Sequence, residues 1–253
     1  MIGDPLEADI MPQPLARVKK DARVIFGISE DAPTANLWKF VTCTVSMWAH
    51  IDSLYAHMLC GFLKADFATV AAMYSSISSG EARKAALLAA ADSVNPDSQK
   101  LISACMAAMR ASRNRRNDFA HHIWAYSPEL PDSLILIDPA ALVESDAELR
   151  QFMADGKFIP GITNVGKANR LEFPQIPSPD RRRMMVYKEK ELESEALLSV
   201  QCLGIVRELL KATSRTQPDD QARAKLLSEP RILREYERLS LQNDQAAPPP
   251  PPP

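Results

Sequence analysis

From Leu37 to Phe62 the apolar residues Val41, Val45, Trp48, Ile51, Tyr55 and Met58 recur at steps of three and four, the period of a helix with one face turned toward a core. At 1.5 Å per residue that stretch forms a rod about 39 Å long. More helical segments follow it. Asp66 to Tyr74 predicts a short helix, and Ser79-Gly80-Glu81 opens an alanine-rich one that runs to about Ala91. Pro96-Asp97-Ser98 starts another, with Asp97 or Ser98 as its cap. Its stripe of Leu101, Ile102, Cys105, Ala108 and Met109 continues into Ser112, Arg113, Arg116 and Ala120, so the same face turns from apolar to mostly polar.

The texture changes after His122. Ile123-Trp124-Ala125-Tyr126 and Leu134-Ile135-Leu136-Ile137 are β-prone runs on either side of a turn holding Pro128, Pro131 and Asp132, which predicts a hairpin. A helix at Asp146 to Met153, a loop with Pro160, Gly161, Pro174, Pro177 and Pro179, and a third strand at Met185-Val186-Tyr187 come next. Helix resumes from Glu191 to about Thr213, and a charged helix starting at Pro218-Asp219-Asp220 is interrupted or restarted by Pro230 and ends near Leu241. The expected organisation is an arm over 1–33, a helical domain over 34–126, a hairpin and loop appendage over 127–190, C-terminal helices over 191–241, and a disordered proline tail over 242–253.

The net charge of -2, from 30 Lys plus Arg against 32 Asp plus Glu, excludes a polybasic binder. Any nucleic acid must therefore be held by a local patch. Cys43, Cys60, Cys105 and Cys202 are scattered with no C-x-x-C pair, which predicts a reducing, cytoplasmic setting without a zinc knuckle. No run of about 18 apolar residues suggests a membrane span. Phosphate-cradling glycine motifs, G-x-S-x-G and H-E-x-x-H are all absent. No cofactor or metal is expected.

The sharpest local departure from this average lies between Arg110 and His122, where four arginines face one carboxylate, Asp118, for a local charge of +3. Asn117 and His121 are four apart and share a helix face, with Arg113 one turn earlier and Arg116 beside the row. A guanidinium, a carboxamide and an imidazole in one space suit cleavage of an RNA phosphodiester. Arg neutralises charge on the phosphate oxygens, His moves a proton, and Asn orients one of them. Arg110, Arg113 and Arg115 are the candidates for RNA contact, with Asp52 and His122 in support.

Arg116-Asn117-Asp118-Phe119-Ala120-His121 resembles the hallmark of the HEPN (higher eukaryotes and prokaryotes nucleotide-binding) superfamily: Arg, a polar residue often Asn, three more residues, then His. The resemblance covers roughly Thr34 to Tyr126. It implies a HEPN-like antiparallel helical bundle, here mainly α with a small β-hairpin appendage and extra C-terminal helices. It also implies a metal-independent endoribonuclease with Arg116 and His121 catalytic and Asn117 positioning, paired as a homodimer that brings two motifs together. Toxin and antiviral roles, with an antitoxin or other protein partner, are common among relatives. Some members only bind RNA or proteins, which keeps a non-catalytic helical dimer as the rival reading.

Plainer roles compete with these. Arg116 and His121 could simply compensate the carbonyl end of their helix. His122 lies about 100° from His121 around the helix, so it is expected at a rim or in packing. His50 and His57 are expected on a solvated face. Arg181-Arg182-Arg183 could add to an RNA path, although such loops are usually solvated. Asp52 falls on the apolar stripe with Trp48, Tyr55 and Leu59, where a lone carboxylate is costly. It is expected to pair with Arg116 or Arg113.

Overall fold

The structure, a computed structural model, describes residues 11–27, 34–155, 161–163, 170–172 and 179–246. Residues 1–10 and 28–33 of the arm, 247–253 of the tail and most of the proline loop after residue 155 lie outside these; residues 242–246, expected in a disordered tail, instead continue the last helix to Ala246. In chain order the elements are β1 (Gln13–Pro14), α1 (Leu15–Val18), β2 (Ile25–Phe26), α2 (Trp38–Leu63), α3 (Phe67–Ser76), α4 (Gly80–Val94), α5 (Pro96–Ala108) and α6 (Arg110–His121). They continue with β3 (Ile123–Tyr126), β4 (Ser133–Ile137), α7 (Pro139–Ala154), β5 (Gly161–Thr163), β6 (Arg170–Glu172), β7 (Met184–Lys188), α8 (Glu189–Ala212), α9 (Asp220–Leu227) and α10 (Pro230–Ala246). The protein is mainly helical with a small antiparallel sheet, as the periodicity predicts. No helix among the described residues is long and apolar enough to cross a membrane.

Two compact units divide the chain, one from Met1–Val41 with Asp118–Ser194 and one from Thr42–Asn117 with Glu195–Pro253. Each is thus assembled from two separate stretches of sequence.

In the first unit the expected hairpin is the middle of a larger sheet, ordered β1-β7-β4-β3-β2 with every pairing antiparallel. β4 is the central strand, with Ile135 opposite Ala125 on one side and Val186 on the other. All five of its residues are buried, which is why Leu134 to Ile137 read as an unbroken apolar run rather than an alternation. Two segments of the arm complete the sheet edges: Arg23-Val24-Ile25-Phe26, whose sequence suits a short helix or a strand, is a strand at β2, whereas β1 is unforeseen. A two-residue strand carries no readable period, so tertiary structure decides between the two readings of β2 and alone reveals β1. The loop after α7 likewise contains an unforeseen pair, β5 with β6.

Arg181-Arg182-Arg183 is a 3-10 turn whose guanidinium groups are taken up within the unit. Arg181 Nη1 donates to the Lys20 and Ala22 carbonyls at 2.6 and 2.8 Å. Arg182 meets Asp180, and Arg183 reaches Asp138 and Glu144, each at 2.6 Å. Together the first and third fasten the arm and α7 to the sheet.

The second unit is a helical bundle whose core gathers Trp48, Ile51, Tyr55 and Leu59 of α2, Leu101, Ile102 and Cys105 of α5, Leu203, Val206 and Leu209 of α8, and Ile232 of α10. Side-chain caps fix where its helices start. Asp66 accepts from Thr69 N–H, Ser79 from Ala82 N–H, and Asp219 from Gln221 and Ala222 N–H. α5 is capped by Asn95 rather than Asp97 or Ser98, with Pro96 as its first helical residue. Proline suits that position because its missing N–H would have had no helical partner there. Asp97 is thereby free to bond Arg223 at 2.6 Å and to accept from the Tyr236 hydroxyl, which joins α5 to α9 and α10. α5 and α6 are separated by one residue, Met109 (φ -89°, ψ 0°), although Met109 N–H still bonds Cys105 O and Arg113 N–H bonds Met109 O.

Candidate functional site

α6 is charged on nearly every turn, and burial sorts its charges by helical phase. Arg110, Asn114, Asn117 and His121 are exposed and follow one another at four, three and four residues, so they form a single solvent-facing row. Ser112 and Phe119, on the opposite side, are buried at 2% exposure each. Ser112 Oγ accepts from Trp48 Nε1 at 3.3 Å and lies 3.5 Å from Ser199 Oγ. These bonds set the rotation of α6, and with it the outward direction of Asn117 and His121.

Arg116 lies between the two sides, with 26% of its side chain exposed. Its Nη1 donates to Asn117 Oδ1 at 3.0 Å. Its Nη2 stands 3.9 Å from Asp52 Oδ2, an ion-pair distance too long for a hydrogen bond. Nε is buried with no hydrogen-bond partner among the described residues. Asp52 has the expected partner, but it is half-exposed rather than buried, with 42% of its side chain accessible. Burial still pushes its carboxyl above the usual aspartate range, and the attraction of Arg116, then Arg83 and Arg113, only partly offsets this.

An acid whose pKa is raised by folding holds its proton more tightly in the native state, so stability falls as pH climbs from the usual aspartate range through the raised value. Above that value ionised Asp52 is a net cost. Asp52→Asn is therefore expected to leave stability at pH 7 unchanged or higher, with the gain vanishing below about pH 4, where both side chains are neutral. Urea unfolding at pH 7 and pH 4 measures this. A variant less stable than the parent at pH 7 would mean that attraction, not desolvation, dominates.

The other arginines have distinct surroundings. Arg110 is exposed. Arg113 Nη2 bonds Glu81 Oε1 at 2.9 Å, with 69% of the glutamate side chain exposed. Such a pair is worth at most about 1 kcal/mol and yields readily to another anion. Arg115, expected to contact RNA, points inward: its Nε lies 2.7 Å from Glu195 Oε1, and the two side chains are only 19% and 9% exposed. It is a structural cation. His122 is half-buried with Nδ1 4.0 Å from Asp118 Oδ1, in keeping with a rim position. His50 and His57 are exposed, and the His57 ring stacks on Phe67 with centroids 3.9 Å apart.

Glu195 and Glu81 were not anticipated. Glu195 gives a signal in hindsight, because Leu192, Glu195, Ser199, Cys202 and Val206 form the buried row of α8, and a carboxylate there needs a cation. Glu81, on an exposed first turn, gives none. Among the described residues no group of three His, Cys, Asp or Glu is placed to hold a metal ion.

Comparison of the chain with protein-family models, curated proteins and solved structures finds no match.

Proposed function

We propose that this protein is a metal-independent endoribonuclease of the HEPN type. The reading rests on one arrangement in α6: Asn117 and His121 stand one turn apart, about 6 Å along the axis, on an exposed row, and Arg116 beside them is steered by Asp52 and bonded to Asn117. In this reaction the ribose 2′-OH attacks the adjacent phosphorus and the bond to the 5′ oxygen breaks. The proton leaves the 2′-OH and another reaches the departing oxygen, giving a 2′,3′-cyclic phosphate and a 5′-OH without consuming water. Arg116 stabilises the charge gathering on the phosphate oxygens, and His121 moves a proton. Asn117 fixes the guanidinium, while Arg110 and Arg113 receive neighbouring phosphates.

One chain presents one exposed imidazole on this row, and His122 faces Asp118 instead. A two-fold homodimer supplies the second acid-base group from the partner copy. Asp52 acts as a positioning residue, so the Asp52→Asn variant described above should cleave roughly tenfold more slowly or worse, despite its undiminished stability. A toxin or antiviral role restrained by a protein partner accords with this activity.

End-labelled RNA incubated with the protein in EDTA tests the reading. Cleavage is expected to persist and to leave 2′,3′-cyclic phosphate ends, because a guanidinium and imidazoles together supply charge neutralisation and proton transfer. Activity lost in EDTA and restored by Mg²⁺ would overturn the mechanism. RNA bound but never cut would favour the non-catalytic alternative.

A further inference from the structure

Away from α6, the helical unit contains a cleft of about 560 Å³ where α2 and α8 end, a size typical of small-molecule sites. His57, Lys64 and Arg215 line it, and no carboxylate does. Nearby acids are engaged elsewhere. Asp66 accepts from the Thr69 N–H and hydroxyl, and Glu208 is held by Lys211 and Lys225 at 3.2 Å each.

Basic groups at helix C-termini are ordinary, so the balance of charge decides whether these two do more than cap. Each helix end carries roughly half a negative charge, so α2 and α8 together bring about one against two full cations. Arg215 spends one bond on its helix end, Nη1 donating to Phe62 O at 3.0 Å. Positive charge of about one remains. Ser214 and Thr216 add hydroxyls 3.4 Å apart, and His57, braced flat on Phe67 at an interplanar angle of 9°, adds a ring whose polar edge is held in place. Met58 and Leu210 give an apolar wall.

We propose that this cleft binds a small phosphate ester, with Lys64 and Arg215 neutralising the phosphate, Ser214, Thr216 and His57 bonding its oxygens, and the apolar wall receiving the organic part. The adjoining cleft shares Leu210, Ser214 and Thr216 and carries Asp219 and Asp220 against one lysine, Lys211, which is already held by Glu208 at 3.2 Å. Those carboxylates repel a second phosphate and limit the ligand to the first space.

Lys64 makes the test clean. It has φ +52°, a left-handed conformation that glycine adopts without strain, so Lys64→Gly removes the cation while suiting the backbone. Calorimetric titration of the full chain with inorganic phosphate at constant ionic strength is expected to show saturable binding of one ion per chain. Binding should weaken about tenfold in Lys64→Gly, the loss expected for one charge-assisted contact, and likewise in Arg215→Met. No saturable binding at millimolar phosphate, or equal binding by both variants and the parent, would overturn the proposal. Binding lost in an Arg110→Met, Arg113→Met double variant but kept in Lys64→Gly would do so too, since it would place the anion on α6.

Discussion

His121→Ala and Arg116→Ala are each expected to reduce RNA cleavage by at least about a hundredfold, the usual contribution of a placed acid-base group or of a charge stabiliser in the transition state. Neither should unfold the protein. His121 is exposed, and an exposed side chain at a helix C-terminus contributes at most about 1 kcal/mol to stability. Arg116 loses only a 3.9 Å ion pair and a bond to the neighbouring Asn117, interactions of similarly small value at a partly solvated site. Circular dichroism and urea midpoints beside the cleavage rates separate the two roles. Activity that follows the folded fraction of each variant would show that both residues serve only the end of their helix. His50→Ala supplies a control, because that exposed side chain lies on α2 outside the motif.

Asn117 and His121 were legible in the sequence because a strong period fixes helical phase. Once Leu101 to Met109 defined the inner face, the four-residue step between Asn117 and His121 placed both on one side, and that side is the solvent row. A carboxylate on the stripe of α2 has to meet a cation, which points to Arg116 or Arg113, and Asp52 lies 3.9 Å from Arg116. Its burial is less than the stripe implies, because it sits at the margin. Arg115 escaped because a run of four arginines invites one role for all, whereas adjacent residues on a helix diverge by about 100°. Arg115 and Arg116 are neighbours in sequence, yet one meets Glu195 inside and the other Asp52 at the edge. In the sheet, β3, β4 and β7 were readable from β-prone runs. β1 was not and β2 was readable only as helix or strand, since their pairing is imposed by β7 and β3 rather than by local preference.

Arg115 therefore carries the largest expected effect on stability. With the pair only 19% and 9% exposed, removing the cation leaves Glu195 Oε1 without its 2.7 Å partner, beside an Oε2 that already has no hydrogen bond among the described residues. Burial already holds the Glu195 carboxyl above the usual glutamate range against the pull of Arg115. Without that pull its pKa rises further. Arg115→Ala is expected to cost about 3 to 5 kcal/mol at neutral pH, the range for breaking one side of a buried pair. A raised acid pKa means the native state binds its proton more readily than the unfolded chain, so the penalty is complete above the raised value and shrinks as pH falls through it toward the ordinary glutamate range. Urea unfolding of parent and variant at pH 7.5 and pH 5 should show the difference narrowing at the lower pH. Removing the carboxylate as well should relieve the variant at neutral pH, because Arg115→Met with Glu195→Gln leaves no buried charge to desolvate. A double variant no more stable than Arg115→Met alone would show that the arginine contributes through packing of its aliphatic stem, not through the charge it neutralises.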